Sequence, residues 1–233
     1  MNFRPFEVNE IIEESDGIRT FRLSAKGGAA PEYQPGHFFL LRLKGADGKF
    51  VQRSYSVASH PSEGGLGFCI KLKGEFTHLL WNLKKGDAVE ADGPYGVFLL
   101  RQEDNERVFI GGGVGISALR SMILQTVKFE GKPSCLFHSA HTFEGLTYYE
   151  EMKSLAEQNP HFKFYPSVTG PDAPAGWSGL RERTSVQTLK GKLGSLSGKS
   201  FYLCGSKEMT GALSAALLAE GVPKEMIKKD EWV

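Results

Sequence analysis

The segment at residues 53–59, Arg-Ser-Tyr-Ser-Val-Ala-Ser, combines one arginine, one tyrosine and three serines within seven residues. The arginine side chain is a permanently charged fork that pairs with phosphate oxygens. The tyrosine ring offers a flat face for stacking, and a serine hydroxyl both donates and accepts at a heteroaromatic nitrogen. These groups suit a flavin nucleotide, with Arg53 at a phosphate and Ser56 at the ring. The same residues also fit an ordinary strand that leaves the core through a turn, so the neighbouring motifs decide between the two.

The segment after Lys73 changes to helical spacing, with Phe76, Leu79, Leu80 and Leu83 behind Gly74. Thr77 is predicted to be the N-cap of this short helix. A helix N-terminus presents free N–H groups and the positive end of the helix dipole. Thr77 and the amides of residues 74–77 are therefore expected to bind phosphates opposite Arg53. Taken alone, the motif fits a capped connector helix better than a binding site.

A second glycine-rich segment follows a short apolar run in the middle of the chain. Residues 108–110 lead into Gly-Gly-Gly-Val-Gly at 111–115, and apolar spacing predicts a helix over 116–128. Such a loop lets the backbone approach a pyrophosphate closely. The dinucleotide-binding fingerprint expects an acidic residue about 20 positions further on. His138 and Ser139 stand there instead, so the match to that fingerprint is incomplete.

Two further segments near the C-terminus carry polar or reactive side chains. Cys204-Gly205-Ser206 follows a predicted strand. Considered alone, Cys204 is expected to be a buried and inert thiol. The last residues, 229–233, contain Asp230, Glu231 and Trp232, and such a tail is expected to fray.

The first half of the chain consists of short apolar runs separated by Gly, Pro and Asp turns, which predicts a closed antiparallel barrel. Six strands are predicted, at residues 6–12, 18–23, 37–43, 50–56, 66–73 and 88–92. The turn Gly93-Pro94-Tyr95-Gly96 follows the last of them. Residues 102–107 are short and charged and are interpreted as a linker.

The second half alternates strands with helices, which predicts a parallel sheet covered by helices on both faces. The elements are expected at residues 108–110, 116–128, 134–139, 148–158, 162–168, 184–189, 201–204 and 207–220. Right-handed crossovers would align the strand ends at Gly111, Ser139, Val168 and Cys204 along one edge, where nucleotides bind in such sheets.

Composition excludes several classes of protein. The chain has 233 residues, and 28 Lys and Arg against 27 Asp and Glu give a net charge of +1, so there is no electrostatic signature of nucleic-acid binding. Cys69, Cys135 and Cys204 are far apart, which argues against an iron–sulfur cluster, a zinc site or a disulfide framework. No apolar run approaches the length of a membrane span. The expectation is a soluble cytoplasmic protein without a metal site.

Taken in order, the motifs at 53–59, 74–77, 93–96, 111–115 and 204–206 resemble those of the ferredoxin-NADP reductase-like flavoprotein family, of the oxygenase-reductase and flavin-reductase type. The resemblance covers nearly the whole chain. It implies two domains: an antiparallel β-barrel FAD-binding domain at residues 1–103, followed by an α/β parallel-sheet NAD(P)-binding domain at residues 104–233.

The resemblance also implies roles for individual residues. Ser56 would hydrogen-bond the flavin ring, Cys204 would stand beside the nicotinamide, and Trp232 would cover the ring. Either Asp230 or Glu231 would be the acid that assists hydride transfer, and Glu231 is preferred. The expected cofactor-binding residues are Arg53, Ser54, Tyr55, Ser56, Ile70, Lys71, Gly74, Phe76, Thr77, Gly112, Gly113, Val114, Gly115, Ile116, Cys204, Gly205, Met209 and Trp232, with Gly93 and Tyr95 as weaker candidates. One departure is Ser206, which replaces the proline that usually follows the Cys-Gly pair and makes the backbone setting of the thiol less certain.

The function implied is hydride transfer from a nicotinamide to FAD, followed by electron transfer to a separate acceptor. That acceptor is expected to be a small molecule or a protein such as a ferredoxin, an oxygenase component or a cytochrome. FAD is expected rather than FMN. NADH is preferred over NADPH because NADP-using relatives carry a Ser-Arg pair where this chain has Val-Thr-Gly-Pro at 168–171, and the next arginines are Arg181 and Arg183. Two alternatives remain: a flavin reductase that releases its flavin, and a non-catalytic nucleotide-binding regulatory subunit.

Overall fold

The first half of the chain folds into one antiparallel sheet. The computed structural model describes residues 1–15, 17–171 and 173–232. For Trp232 it describes the backbone but not the side chain. The strands are β1 (Arg4–Ser15), β2 (Ile18–Ala25), β3 (Phe38–Lys44), β4 (Phe50–Ser56), β5 (Leu66–Lys71) and β6 (Ala88–Tyr95), with helix α1 (Glu75–Trp81) between β5 and β6. The order across the sheet is β4-β3-β6-β1-β2-β5. The predicted antiparallel, barrel-like architecture of the first half is therefore confirmed.

The interior of this sheet is aromatic. Alternate residues of the strands point inward, and Phe6, Phe21, Phe39 and Phe68 are completely buried there. Among the described residues, the terminal strands β4 and β5 form no hydrogen-bonded ladder. The barrel is thus open at one seam rather than closed as predicted, and helix α1 buries Phe76 in the same core.

The second half folds into a parallel sheet. Its strands are β7 (Glu106–Gly112), β8 (Ser134–Ala140), β9 (Phe162–Val168), β10 (Lys199–Ser206) and β11 (Ile227–Trp232). The order is β11-β10-β7-β8-β9, and all the ladders are parallel. The helices are α2 (Ile116–Leu124), α3 (Tyr149–Gln158), α4 (Val186–Leu193) and α5 (Lys207–Ala219).

Helices cover both faces of the parallel sheet, as predicted. Phe109 and Tyr202 pack towards α2 and α3, whereas Phe137 and Phe201 pack towards α4 and α5. In the strand register, Gly111 lies opposite both His138 and Cys204. The strand ends after β7, β8 and β10 therefore lie along one edge.

The charged segment predicted as a linker is partly buried. Arg107 is in β7 and is 1% exposed; its guanidinium donates to Thr126 Oγ1 at 2.8 Å and to a carboxylate oxygen of Glu130 at 2.8 Å. Asp104 is 2% exposed and accepts hydrogen bonds from the hydroxyls of Tyr202 and Ser200. Residues 102–105 lie between the two sheets, whereas the last two residues of the predicted linker begin β7. Charged groups of this segment are buried because they are paired.

The C-terminal tail also differs from the expectation of fraying. Residues Ile227–Trp232 form β11, which pairs in parallel with β10 from Phe201↔Ile227 to Ser206↔Trp232. Backbone hydrogen bonds at the sheet edge order this segment despite its charged side chains. Among the described helices, none combines the length and apolar character needed to cross a membrane.

Candidate functional site

A cleft of about 460 Å³ lies between the two domains. Its walls come from the end of β4, β5, the start of α1, the loop after β7, the start of α2 and the ends of β10 and β11. The lining residues are Phe38, Arg53, Ser54, Tyr55, Ser56, Cys69, Ile70, Lys71, Lys73, Gly74, Glu75, Phe76, Thr77, Val114, Gly115, Ser117, Ala118, Cys204, Asp230 and Glu231. The cleft thus joins segments that lie far apart in the sequence.

The end of β4 contributes four predicted residues to the cleft. Arg53 is exposed, and its guanidinium donates to the carbonyl of Gln52 at 2.7 Å. The half-buried ring of Tyr55 stacks on Phe76, with ring centroids 5.8 Å apart. Burial raises the pKa of Tyr55 to about 12, so its phenol stays neutral at physiological pH. A neutral aromatic face and a charged arginine therefore stand on the same strand end.

The start of α1 is a tight loop whose polar groups hydrogen-bond to one another. Gly74, rather than Thr77, is the N-cap residue, and its φ of +84° favours glycine. Thr77 lies inside the first turn, where its hydroxyl donates to the carbonyl of Gly74 at 2.9 Å and accepts from the amide of Lys73 at 2.7 Å. The predicted N-cap role of Thr77 was therefore wrong. Its hydroxyl hydrogen is already used within the loop, and Thr77 reaches the cleft as part of its lining.

The donor set of the cleft fits a flavin nucleotide. Arg53, Lys71 and Lys73 are exposed cationic side chains in its lining, and such groups suit pyrophosphate oxygens. Tyr55 and Ser56 offer an aromatic face and a hydroxyl for a ring system. Among the described residues, no group of three or more His, Cys, Asp or Glu side chains is arranged to hold a metal ion.

The glycine loop after β7 is supported by a buried histidine. Gly113–Gly115 form a single 3₁₀ turn before α2, and Gly113 has a φ of +51°. His138 Nε2 donates to the carbonyl of Gly113 at 2.9 Å, while Nδ1 is buried without a partner among the described residues. Burial lowers the pKa of His138 to about 4. His138, which stands where the dinucleotide fingerprint expects an acid, is therefore a neutral imidazole that hydrogen-bonds to this loop.

The residues predicted on the nucleotide side divide into two groups. Val114 and Gly115 line the cleft, but Ile116 is completely buried in the core beneath it. Gly112, Gly113, Gly205 and Met209 do not line the cleft. A Cβ on Gly112 would lie 2.6 Å from the Met209 sulfur, and a Cβ on Gly205 would also overlap the Met209 side chain. Gly112, Gly205 and Met209 thus form one packed cluster behind the strand ends.

The two domains meet at Ser56, Cys204 and Asp230. The Ser56 hydroxyl donates to Asp230 Oδ2 at 3.3 Å, and Asp230 lies opposite Cys204 in the ladder between β10 and β11. Burial raises the pKa of Asp230, although the hydrogen bond from Ser56 opposes this shift. Burial also raises the pKa of Cys204 well above its ordinary value, so the thiol stays protonated.

Glu231, the preferred acid in the sequence, has different surroundings. Its carboxylate accepts from Lys229 Nζ at 2.6 Å and from Thr210 Oγ1 at 3.1 Å. The bond from Lys229 lowers the pKa of Glu231. Both acids line the cleft, but only Asp230 is hydrogen-bonded to Ser56 in the described part of the chain. The side chain of Trp232, predicted to cover the ring, lies outside the described residues.

Several lining residues were not among the predicted cofactor-binding residues: Phe38, Cys69, Lys73, Glu75, Ser117 and Ala118. Ser117 and Ala118 follow the glycine loop directly, so their position in the sequence was an available signal. Phe38 lies opposite Ser56 in the ladder between β3 and β4, which sequence alone does not reveal. The weaker candidates Gly93 and Tyr95 do not line the cleft; the Tyr95 hydroxyl donates to Asp92 Oδ2 at 2.8 Å.

Comparisons with known proteins agree with the two-domain arrangement. The sequence model of the oxidoreductase FAD-binding domain matches residues 5–99, and that of the oxidoreductase NAD-binding domain matches residues 109–215. A flavohemoprotein of Deinococcus radiodurans is 31% identical over 237 residues, covering 96% of this chain and 58% of that protein. One component of the Na⁺-translocating NADH-quinone reductase of Methylococcus capsulatus is 31% identical over 200 residues, covering 77% of this chain and 49% of that protein. The chain thus spans about half the length of the curated relatives it matches.

Solved structures share the fold. The FAD/NAD-binding domain of a nitric oxide dioxygenase from Vibrio cholerae superposes with a TM-score of 0.88 at 23% identity, covering 100% of this chain and 99% of that one. A ferredoxin NADP⁺ reductase from Neisseria gonorrhoeae, with bound FAD and NADP, gives a TM-score of 0.86 at 22% identity, covering 99% of both chains.

The two matched domains and the cleft between them define a flavoprotein oxidoreductase with one FAD-binding and one NAD-binding domain. The chain belongs to the ferredoxin-NADP reductase-like family.

Proposed function

We propose that the chain transfers a hydride from NADH to FAD held in the cleft and passes the electrons on to a separate acceptor. The observation that carries the proposal is the junction of Ser56, Cys204 and Asp230, where the strand end of the flavin domain meets two strand ends of the nucleotide domain. The flavin supplies the redox chemistry when bound. The cleft would hold the flavin ring on the side of Ser56 and the nicotinamide on the side of Cys204, which would bring the two reacting groups together.

The primary test is spectroscopic. The purified protein is expected to show a flavin absorption spectrum that bleaches when NADH is added without oxygen. Colourless protein that turns over added flavin would instead identify a flavin reductase that releases its product. Bound flavin that neither NADH nor NADPH bleaches would refute the enzymatic proposal and favour a regulatory subunit.

Within this proposal, Arg53 binds the flavin phosphates. The Arg53→Ala variant is expected to purify with little flavin, because it loses a charged donor to phosphate oxygens. Arg4→Ala, an exposed arginine of β1 outside the cleft lining, is the matched control and should retain its flavin. Full flavin occupancy in Arg53→Ala would refute the proposal that Arg53 binds the flavin phosphates.

Asp230, rather than the predicted Glu231, is proposed as the acid beside the reacting rings. Its hydrogen bond from Ser56 and its raised pKa support this choice, since a carboxyl group near the rings can then hold a proton more readily. Asp230→Asn and Glu231→Gln form a matched pair of isosteric changes. The proposal expects a roughly tenfold or larger fall in the rate of flavin reduction only in Asp230→Asn, in line with the usual contribution of a positioned acid or base. A larger fall in the rate in Glu231→Gln would instead identify Glu231 as the acid beside the rings.

NADH is proposed as the donor because the loop after β9, at residues 168–171, contains no arginine. Arg181 nevertheless reaches this loop and donates to the carbonyl of Pro171 at 3.1 Å. It is therefore the residue to test for binding of a 2′-phosphate. We expect kcat/KM to favour NADH in the wild type and to keep that preference in Arg181→Ala, with Arg183→Ala as the control. A strong NADPH preference that disappears in Arg181→Ala would overturn this part of the proposal.

The acceptor is proposed to be a protein with its own redox centre, such as a ferredoxin, an oxygenase component or a cytochrome. This is supported by two relatives, the flavohemoprotein and the quinone reductase component, which are larger proteins of which the matching region is only part. The test is reduction of a panel of such acceptors by the NADH-reduced protein. Rates no faster than reaction with oxygen for every acceptor would count against this assignment.

A further inference from the structure

The buried face of α2 that meets the barrel domain carries an arginine that the site does not use. Arg120 is 7% exposed and is the one charged residue of helix α2, whose other residues are apolar or serine. Its guanidinium binds Glu63 through two hydrogen bonds of 2.8 and 2.9 Å and Glu151 through two of 2.6 Å. It also donates to the carbonyl of Ala58 at 3.0 Å. One side chain therefore binds two carboxylates and a backbone carbonyl.

These partners lie in different domains. Glu63 and Ala58 belong to the barrel domain, in the segment between β4 and β5, whereas Glu151 is on α3 of the nucleotide domain. Arg120 thus makes one paired contact across the domain boundary and one within its own domain. A bidentate arginine–carboxylate pair fixes the angle as well as the distance between its partners.

Both ends of this connection lead directly to the cleft. Ala58 is two residues beyond Ser56, and Arg120 is on the helix that begins immediately after the glycine turn ending at Gly115. Ser56 and Gly115 line opposite domains of the same cleft. The bond between Arg120 and Ala58 therefore connects the flavin side of the cleft to its nucleotide side.

Two other contacts near Arg120 also cross the boundary between the two domains. On the preceding turn of α2, Ser117 Oγ lies 3.1 Å from the carbonyl of Cys69 on β5. The Tyr148 ring faces the Arg120 guanidinium at 5.1 Å, and its hydroxyl lies 2.9 Å from Thr20 Oγ1 on β2. Tyr148 has a φ of +62°, in the left-handed region that non-glycine residues rarely occupy. Its unusual backbone is held where its side chain spans the two domains.

We propose that Arg120 is a positioning residue for hydride transfer, acting through its pair with Glu63 to hold the nucleotide domain at reacting distance from the flavin strand. This inference rests on the proposed function. A displacement of about 1 Å between reacting groups can cost about 100-fold in rate. Loosening the pair should therefore slow the hydride step while both nucleotides still bind.

The test compares the two carboxylates that share the guanidinium. Of the two pairs that Arg120 makes, Glu63→Gln weakens the one across the domains and Glu151→Gln the one within the nucleotide domain. Glu63 also accepts a hydrogen bond from the His60 amide, which the amide oxygen of Gln can still accept. Both changes neutralise one carboxylate bound to Arg120 and keep the shape of the side chain. A general loss of stability should affect the two variants alike, whereas a positioning role should separate them.

Stopped-flow reduction with NADH supplies the kinetic comparison. Glu63→Gln is expected to lower the limiting rate at saturating NADH by about tenfold or more. The flavin content and the NADH concentration at half-maximal rate should stay within about twofold of wild type, and the flavin reduction potential should not change. Glu151→Gln is expected to keep its limiting rate within about twofold. Arg120→Lys should restore part of the rate lost in Arg120→Gln, because lysine keeps the charge but not the bidentate geometry.

Backbone hydrogen exchange supplies a second readout that does not depend on turnover. In flavin-loaded Glu63→Gln, amides of residues 113–117, which contact the barrel domain from the nucleotide domain, should exchange faster than in Glu151→Gln, with strand β3 as an internal reference. Equal limiting rates and equal exchange in the two variants would overturn the inference. If Glu63→Gln does not accumulate, Glu63→Asp replaces it, and a wild-type limiting rate in that shortened variant would also overturn it. Wild-type protein that neither nucleotide reduces would instead refute the proposed function, and the exchange comparison would still judge the domain contact.

Discussion

The buried imidazole of His138 makes the stability of the nucleotide domain depend on pH. Its pKa is lowered from 6.5 to about 4 because burial penalises the charged form, an effect only partly opposed by its bond to Gly113. In the unfolded chain the same group binds a proton near pH 6.5. Between these two values the unfolded state binds more protons, so the free energy of unfolding falls as the pH is lowered from 6.5 to about 4.

The size of this effect follows from the shift. A difference of one pKa unit corresponds to about 1.4 kcal/mol, so the full window corresponds to roughly 3 kcal/mol. The matched variant is His138→Gln, whose amide nitrogen can donate to the Gly113 carbonyl but does not titrate. Wild type should therefore lose roughly 3 kcal/mol more than the variant on acidification from pH 7 to pH 4.

The assay is urea unfolding of both proteins at several pH values across this window, together with an NMR titration of the His138 ring. Other groups that titrate contribute to both proteins, so the difference between the two curves isolates the histidine. Curves that stay parallel between pH 7 and pH 4, or a ring that titrates near pH 6.5, would refute the reasoning.

Three further predictions concern packing and reactivity. Gly36 has a φ of +100°, and a Cβ there would overlap the carbonyl oxygen of Phe98, so Gly36→Ala should cost about 3 kcal/mol or more in urea unfolding. Gly131→Ala, with a left-handed φ of +63° and nothing within 4 Å of the new Cβ, should cost only about 1 kcal/mol, and equal costs would contradict the overlap. Tyr202→Phe removes a donor to buried Asp104 and should lower the free energy of unfolding by about 1–3 kcal/mol; an unchanged value would show that Asp104 does not need this bond. Cys69, Cys135 and Cys204 are buried with raised pKa values, so a thiol-alkylating reagent at pH 8 should label them slowly in native protein and rapidly in urea, and rapid native labelling would contradict their burial.

Much of the fold was predictable because its signals are local. The run at 66–73 predicted a strand that the structure has at Leu66–Lys71, and the spacing behind Gly74 predicted the helix Glu75–Trp81. Alternating apolar residues and glycine turns specify such elements without knowledge of distant contacts. The order of strands and helices then implied the parallel sheet and the alignment of its strand ends.

The details that could not be predicted depend on partners far away in the sequence. Consecutive residues of a strand point to opposite faces, so the register of β11 decides whether Asp230 or Glu231 faces Ser56. Nothing in the tail itself specifies that register. The pairing of Arg120 with Glu63 was likewise not evident from the sequence, because Glu63 lies 57 positions earlier. The burial of Asp104 and Arg107 also depends on groups supplied by other strands and helices.

The contact between Arg120 and Glu63 also bears on how the two halves can be recombined. A hybrid that splices the barrel of one relative onto the nucleotide domain of another receives the arginine from one parent and the carboxylate from the other. If the new barrel lacks an acid at this place, Arg120 keeps only the Glu151 carboxylate while it remains buried. The segment from Ala58 to Glu63 and the helix α2 therefore form a matched unit, and chimeric reductases should exchange them together.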